Sequence, residues 1–296
     1  MHIGEKIKRL RTAKLMTQSE LVGREITRNM LSRIENGAAQ PSMSTIKYIA
    51  ERLNVSPGFL LAEEEDELLY FKSAEISNLK KAYVDKNYEL CRQICLNSEW
   101  RDDELVLVLA ESTAQVGINE FFHGNLRRAA ELFDEAIEYC AKTVYNTDSV
   151  LALARCYFEY MSFISPTLDS NLSDGSDEAR LPILKDRFVV YAETFLQGEA
   201  NGYSDLPFLE ERLSAVGEES SFAMHIKAKL LIERGEYGES CVILKSLLFG
   251  DGYEMPEPMI YFILCDLEVC CKETEDFKGA YGFSKNKIEL MQKLLS

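Results

Sequence analysis

The residues Thr27-Arg28-Asn29-Met30-Leu31-Ser32-Arg33 set long hydrogen-bonding side chains beside apolar ones at helical spacing. On a helix, Met30, Leu31 and Ile34 share an inward face, which turns Thr27, Arg28, Asn29, Ser32 and Arg33 outward. Arginine matches the two acceptors of guanine, and asparagine can bond adenine bidentately, so this face carries the chemistry of reading base edges. Gln18 opens the preceding helix, where a side-chain amide and the first backbone N–H groups can hold a phosphate. Asn36 and Lys47 are further phosphate candidates.

Catalytic chemistry finds little support. His2, His123 and His225 are far apart and lack metal spacing. Cys91 and Cys95 stand four apart and Cys270-Cys271 are adjacent, but neither has a second pair nearby to complete a tetrahedral site. The eight cysteines are therefore expected to be reduced core thiols. There is no phosphate-binding glycine loop and no nucleophile elbow, so no enzyme, cofactor or metal is expected.

Short helices must position the outward face. Ile3, Ile7 and Leu10 give a first helix one apolar stripe. Thr17-x-x-Glu20 is a capping box that starts a second, with Leu21 and Val22 as its anchors and Gly23 at the turn. A third runs from about Thr27 to Asn36 and ends at Gly37, where a left-handed cap fits. The fourth carries Ile46, Ile49, Ala50 and Leu53, and Ser56-Pro57 opens a fifth through Leu61. Two short helices around a tight glycine-containing turn form a helix-turn-helix.

Ile3-Gly4-x-x-Ile7-x-x-Leu10-Arg11, Thr17-Gln18-x-Glu20-Leu21, Leu31-Ser32-Arg33-Ile34-Glu35-Asn36-Gly37, Pro41-Ser42 and Leu53-x-Val55 together resemble the XRE/phage-repressor-like helix-turn-helix family. The match covers about sixty residues in the family's order, with a turn about one residue shorter than its commonest form. The resemblance places Arg28, Asn29 and Arg33 at base-reading positions and Gln18 at a phosphate. It also implies an internal ion pair between Arg11 and Glu35.

At 296 residues the chain suits two domains, and its 46% hydrophobic and 28% charged content is that of a globular protein. The net charge of −16, taken whole, argues against nucleic acid. Its distribution reverses that. Residues 1–61 hold ten Lys/Arg and five acids, a charge of +5, leaving 23 basic against 44 acidic residues, −21, for the rest. The expected domains are residues 1–62, an acidic linker at 63–67 (Glu63-Glu64-Glu65-Asp66-Glu67), and a regulatory body at 68–296. No run approaches the roughly 18 uninterrupted apolar residues of a membrane span, and the start lacks a signal peptide's apolar segment. A cytoplasmic protein without a membrane partner is expected.

The body reads as helices near 66–83, 86–98, 103–122, 125–142, 147–163, 179–197, 205–214, 219–233, 236–249, 256–272 and 275–295, with a polar loop at 165–178. One phrase recurs at the turns: Lys86-Asn87-Tyr88 before Cys91, Gly124-Asn125-Leu126 before Ala129, Gly235-Glu236-Tyr237 before Ser240, and Glu275-Asp276-Phe277 before Ala280. The phrase, with Gly117, Phe133 and Ala136, resembles the tetratricopeptide repeat, although the anchors lie 38 and 40 residues apart rather than about 34. The resemblance implies a right-handed superhelix of degenerate helical hairpins with a concave groove. Counting back from the small anchors places Glu111, Ile118, Phe222, His225, Lys229, Phe262 and Cys265 on its wall, with Asn119 close enough to grip a peptide backbone.

An all-α chain of this order, a five-helix XRE-type head on a helical-repeat body, resembles the Rgg/PlcR class of peptide-pheromone-responsive regulators of Gram-positive bacteria. That resemblance implies a homodimer on a near-palindromic double-stranded operator, its affinity set by a short signalling peptide in the groove. A body that instead holds a folded protein partner, tethered to DNA by the head, remains the alternative.

Overall fold

In the computed structural model, which describes residues 2–62, 75–98, 102–168, 186–250 and 252–296, the regular elements are all helical. The expected acidic linker at 63–67 and the expected loop beyond residue 168 lie outside the described residues. The chain divides into two compact units, Met1–Lys81 and Ala82–Ser296, with the division falling inside a helical stretch at 75–84 (α6).

Side-chain caps set the helix starts of the first unit. Its helices are α1 (Ile3–Ala13), α2 (Gln18–Val22), α3 (Arg28–Glu35), α4 (Met43–Arg52) and α5 (Pro57–Leu61). The capping box forms as expected: Thr17 Oγ1 accepts from Glu20 N at 3.2 Å, and Glu20 Oε2 accepts from Thr17 N at 2.6 Å. Thr27, Ser42 and Ser56 cap α3, α4 and α5 through Met30, Thr45 and Phe59 N–H groups at 3.2, 3.2 and 3.0 Å. Each such cap contributes about 1 kcal/mol. The apolar stripes then meet in one core around Ile7, Leu21, Leu31, Ile34, Ile49 and Leu53. Where α1 crosses α3 there is no room for a side chain: a Cβ on Gly4 would lie 1.8 Å from the Ile34 carbonyl oxygen.

The second unit holds α7 (Tyr88–Asn97), α8 (Asp103–Phe122), α9 (Leu126–Cys140), α10 (Asp148–Ser162), α11 (Arg187–Asn201), α12 (Leu209–Val216), α13 (Ser221–Glu233), α14 (Tyr237–Phe249), α15 (Glu257–Glu273) and α16 (Phe277–Leu294). The recurring phrase is a helix terminator. Lys86, Gly124, Gly235 and Glu275 all adopt positive φ, at 56°, 81°, 78° and 61°. After each, the next N–H reaches back five residues to a carbonyl, as Asn125 N to Glu120 O at 2.9 Å and Asp276 N to Cys271 O at 2.8 Å. This is the Schellman motif, and the following helix starts at Tyr88, Leu126, Tyr237 or Phe277. Three residues on, Cys91, Ala129, Ser240 and Ala280 are buried, small enough for paired helices to approach closely. Gly117 does the same for α8 against α9, where a Cβ would stand 3.1 Å from the Phe133 ring. By length and composition α8 could cross a membrane; here it is a core helix packed on α9.

The hairpin run curls so that the α8–α9 turn approaches α15 and α16. A Cβ on Gly124, at the turn after α8, would come within 2.6 Å of Glu257 Oε2 and 2.8 Å of Leu294 Cδ2. The interior is filled by rings: Phe121–Tyr157, Tyr157–Phe188 and Phe195–Phe262 all lie 4.8 Å between centroids. None of the eight cysteines is in a disulfide, six of them are buried, and burial pushes the Cys156 thiol up.

Candidate functional site

The outward face of α3 forms as its spacing predicts. Thr27, Arg28, Asn29 and Arg33 are exposed and Ser32 is half-buried, while Leu31 and Ile34 are buried and Met30 is half-buried. The helix is held from behind. Glu35 accepts from Arg11 Nε at 2.7 Å and Nη2 at 3.2 Å, with side-chain exposures of 1% and 14%. Arg11 Nη1 also donates to the Met16 carbonyl at 2.7 Å, so one guanidinium ties α1, the start of α2 and the end of α3 together.

Gln18 bridges this tie to the reading face. Its Nε2 donates to Glu35 Oε2 at 2.7 Å, and its Oε1 accepts from Arg28 Nε at 3.5 Å. Asn36, at the C-cap of α3, and Lys47, on α4, are exposed and make no hydrogen bond to this group. The basic surplus is therefore divided. Lys6 is buried, donating to Phe59 O at 3.2 Å and to Ala62 O, and Arg11 is ion-paired. Both hold the fold, leaving residues such as Arg28, Arg33 and Lys47 to face solvent.

In the second unit the expected groove residues separate. His225 is fully buried: Nδ1 bonds the Tyr191 hydroxyl at 2.8 Å, and Nε2 bonds Asp266 Oδ2 at 2.9 Å. Lys229 donates to Asp266 Oδ1 at 3.0 Å and pairs with Glu199 Oε1 at 2.7 Å. Tyr160 extends the chain, its hydroxyl 3.2 Å from that of Tyr191. Burial opposes the charge on Asp266, but the hydrogen bond from His225 and the charge of Lys229 outweigh it and hold the carboxyl below its ordinary value. Phe262 is buried between the Tyr160 and Phe195 rings, at 5.1 and 4.8 Å. Half-buried Cys265 has its thiol pushed up to about 11, chiefly by burial. On α8, Glu111 accepts from the Tyr83 hydroxyl at 2.9 Å, Ile118 packs on the core, and Asn119 is exposed.

Of the eight, Phe222 borders an opening. A cavity of about 550 Å³ lies between the end of α8, the starts of α11 and α13, and the segment before α15. Sequence reasoning missed its acidic rim and also missed Asp266. A lone carboxylate within the apolar run Tyr261–Leu267 was the signal for Asp266, because such a group stays buried only when paired. Among the described residues, no three His, Cys, Asp or Glu groups are placed to hold a metal ion.

Residues 7–60 match a family model described as helix-turn-helix. The N-terminal unit carries a helix-turn-helix domain. Its α2 and α3 are the two helices of the motif, and α3 presents the outward face. The HTH-type transcriptional activator BcrR of Enterococcus faecalis is 36% identical over 85 residues, a stretch spanning 28% of this chain and 41% of that protein. Alignments with solved structures run well beyond the helix-turn-helix domain. PlcR of Bacillus thuringiensis, solved with the peptide PapR7 and DNA, is 14% identical over 98% of this chain and 95% of its own, with a TM-score of 0.22. A PrgX mutant is 12% identical over 93% and 95%, with a TM-score of 0.29. ComR of S. thermophilus, solved with DNA and its signalling peptide, is 15% identical over 97% and 99%, with a TM-score of 0.25. Superpositions at that level place no residue of this chain.

Proposed function

We propose that this protein is a cytoplasmic, sequence-specific transcription regulator whose helix-turn-helix domain reads an operator through Thr27, Arg28, Asn29, Ser32 and Arg33. The observation that carries this reading is the polar, exposed face of α3 on a helix capped by Thr27 and anchored by the buried Arg11–Glu35 pair. A recognition helix needs that combination, since base contacts are lost if the helix shifts in the groove. Gln18 serves as a phosphate contact through its remaining amide hydrogen and as a support for Arg28, with Asn36 and Lys47 as outer phosphate contacts. The charge of −21 on the residues after 61 keeps that part of the chain off DNA and confines contact to the head.

Two heads of a homodimer would meet half-sites about one helical turn apart, and a short peptide held by the body would alter how those heads are presented. The cavity beside Phe222 supports the peptide half of this reading, because it offers a solvent-open concave volume in the unit apart from the helix-turn-helix domain. Arg33→Ala is expected to weaken operator binding by roughly 1–3 kcal/mol and to relax preference at one base pair. Fluorescence anisotropy on single-substitution operators checks this; unchanged affinity and preference would remove Arg33 from the reading set.

A further inference from the structure

The geometry points to a ligand chemistry for the cavity: a peptide presenting a bulky apolar side chain next to a positive charge, either its own N-terminal ammonium or a Lys or Arg side chain. This inference rests on the reading of the body as a peptide receptor and specifies what that receptor accepts.

Half of the wall is apolar, and that half is held in place. Phe122, Phe188, Phe222, Tyr253 and Met255 line the opening. Phe222 stacks on buried Tyr191 at 4.9 Å, and Phe188 meets Phe122 and Phe222 edge-on at 5.7 and 6.1 Å. The segment carrying Tyr253 and Met255 is pinned to α13, where Ser221 Oγ donates to the Glu254 carbonyl at 2.8 Å. Such a preformed slot, within the common size range of roughly 300–1,000 Å³, holds an apolar side chain without first having to order itself.

The rim selects the charge. Asp186, Glu219 and Glu254 line the cavity against a single Arg187, and no ion pair joins that guanidinium to any of them. Two helix starts border the space, but both already have acceptors. Asp186 Oδ1 takes the N–H groups of Phe188 and Val189 at 2.9 and 3.2 Å, and Ser220 takes that of Ala223 at 3.2 Å. Asp186 Oδ2 is left without a hydrogen bond. An anion would meet three carboxylates against one guanidinium, and two helix starts already capped; a cation would meet those carboxylates and the faces of aromatic rings, both of which favour it.

The test screens immobilised full-length protein with a random synthetic hexapeptide library and sequences the retained peptides. Enrichment of a large apolar residue beside Lys, Arg or a free N-terminus is expected. Those peptides should bind the double variant Glu219→Lys, Glu254→Lys roughly tenfold more weakly, since two attractions become repulsions. Both side chains are exposed, and an unchanged thermal midpoint verifies that the variant is folded. Enrichment of acidic or uncharged peptides overturns the inference, as does equal binding by the double variant, and either result leaves the body a peptide receptor. Retention of no peptide overturns the receptor reading itself and this inference with it.

Discussion

Glu35→Ala is expected to unfold the helix-turn-helix domain in a large fraction of molecules and to abolish sequence-specific DNA binding. Glu35 is 1% exposed and receives three charge-assisted or amide hydrogen bonds, two from Arg11 and one from Gln18. Alanine leaves the Arg11 guanidinium, 14% exposed, with only the Met16 carbonyl as a partner. Removing one member of a buried ion pair costs roughly 3–5 kcal/mol, because the remaining charge stays desolvated. A single small core supplies little more than that in total. Hydrogen exchange followed by mass spectrometry on the full chain should show amide protection lost across residues 3–61 while α8 and α15 keep theirs. Glu35→Gln, which preserves shape and an acceptor, should fall between the two. Wild-type protection in Glu35→Ala would mean that the ion pair does not hold α3.

In the body, the corresponding substitution is Asp266→Ala, expected to destabilise that unit by roughly 3–5 kcal/mol. Asp266 is the shared acceptor for His225 and Lys229, and nothing else answers His225 Nε2. Lys229 would keep Glu199 at 2.7 Å, so the main damage falls on the chain of Tyr160, Tyr191 and His225 behind it. Urea unfolding at neutral pH, read by the helical circular dichroism signal, measures the loss. The pH dependence provides a second readout. The Asp266 carboxyl is held below its ordinary value, so its contribution is fully present above about pH 4 and is lost as pH falls through the folded value. The gap between wild type and Asp266→Ala should therefore narrow in acid. An unchanged urea midpoint, or a gap that widens in acid, would show that the network adds no net stability.

Most of the helical framework was legible because its signals are local. Thr17 with Glu20, Ser56 with Pro57, and the turn phrases at Lys86, Gly124, Gly235 and Glu275 specify caps and terminators within six residues of themselves. The outward set on α3 followed from three inward-facing positions, Met30, Leu31 and Ile34, on one short helix. The Arg11–Glu35 pair came from resemblance to a family and is formed in the structure.

What the sequence did not disclose depends on distance along the chain. His225 and Lys229 share a helix face, which spacing shows, but their common partner Asp266 lies 41 and 37 residues away. Repeat logic placed Phe222, His225, Lys229, Phe262 and Cys265 on an open wall. The α8–α9 turn approaches Glu257 and Leu294, and large rings pack around His225 and Phe262, while Phe222 borders the cavity. Curvature of that kind accumulates from small rotations at each hairpin and leaves no mark on any one segment. The cavity likewise joins four separate stretches of chain, so its acidic rim was scattered through the sequence.

Selection of bound DNA from a random duplex pool by the full-length protein, with and without a peptide retained by the body, tests whether the head reads sequence under the body's control. The expected result is enrichment of two related half-sites about one helical turn apart, lost in Arg28→Ala/Arg33→Ala, with the enriched fraction changed by the peptide. A pool that returns at its input composition in both conditions would contradict it.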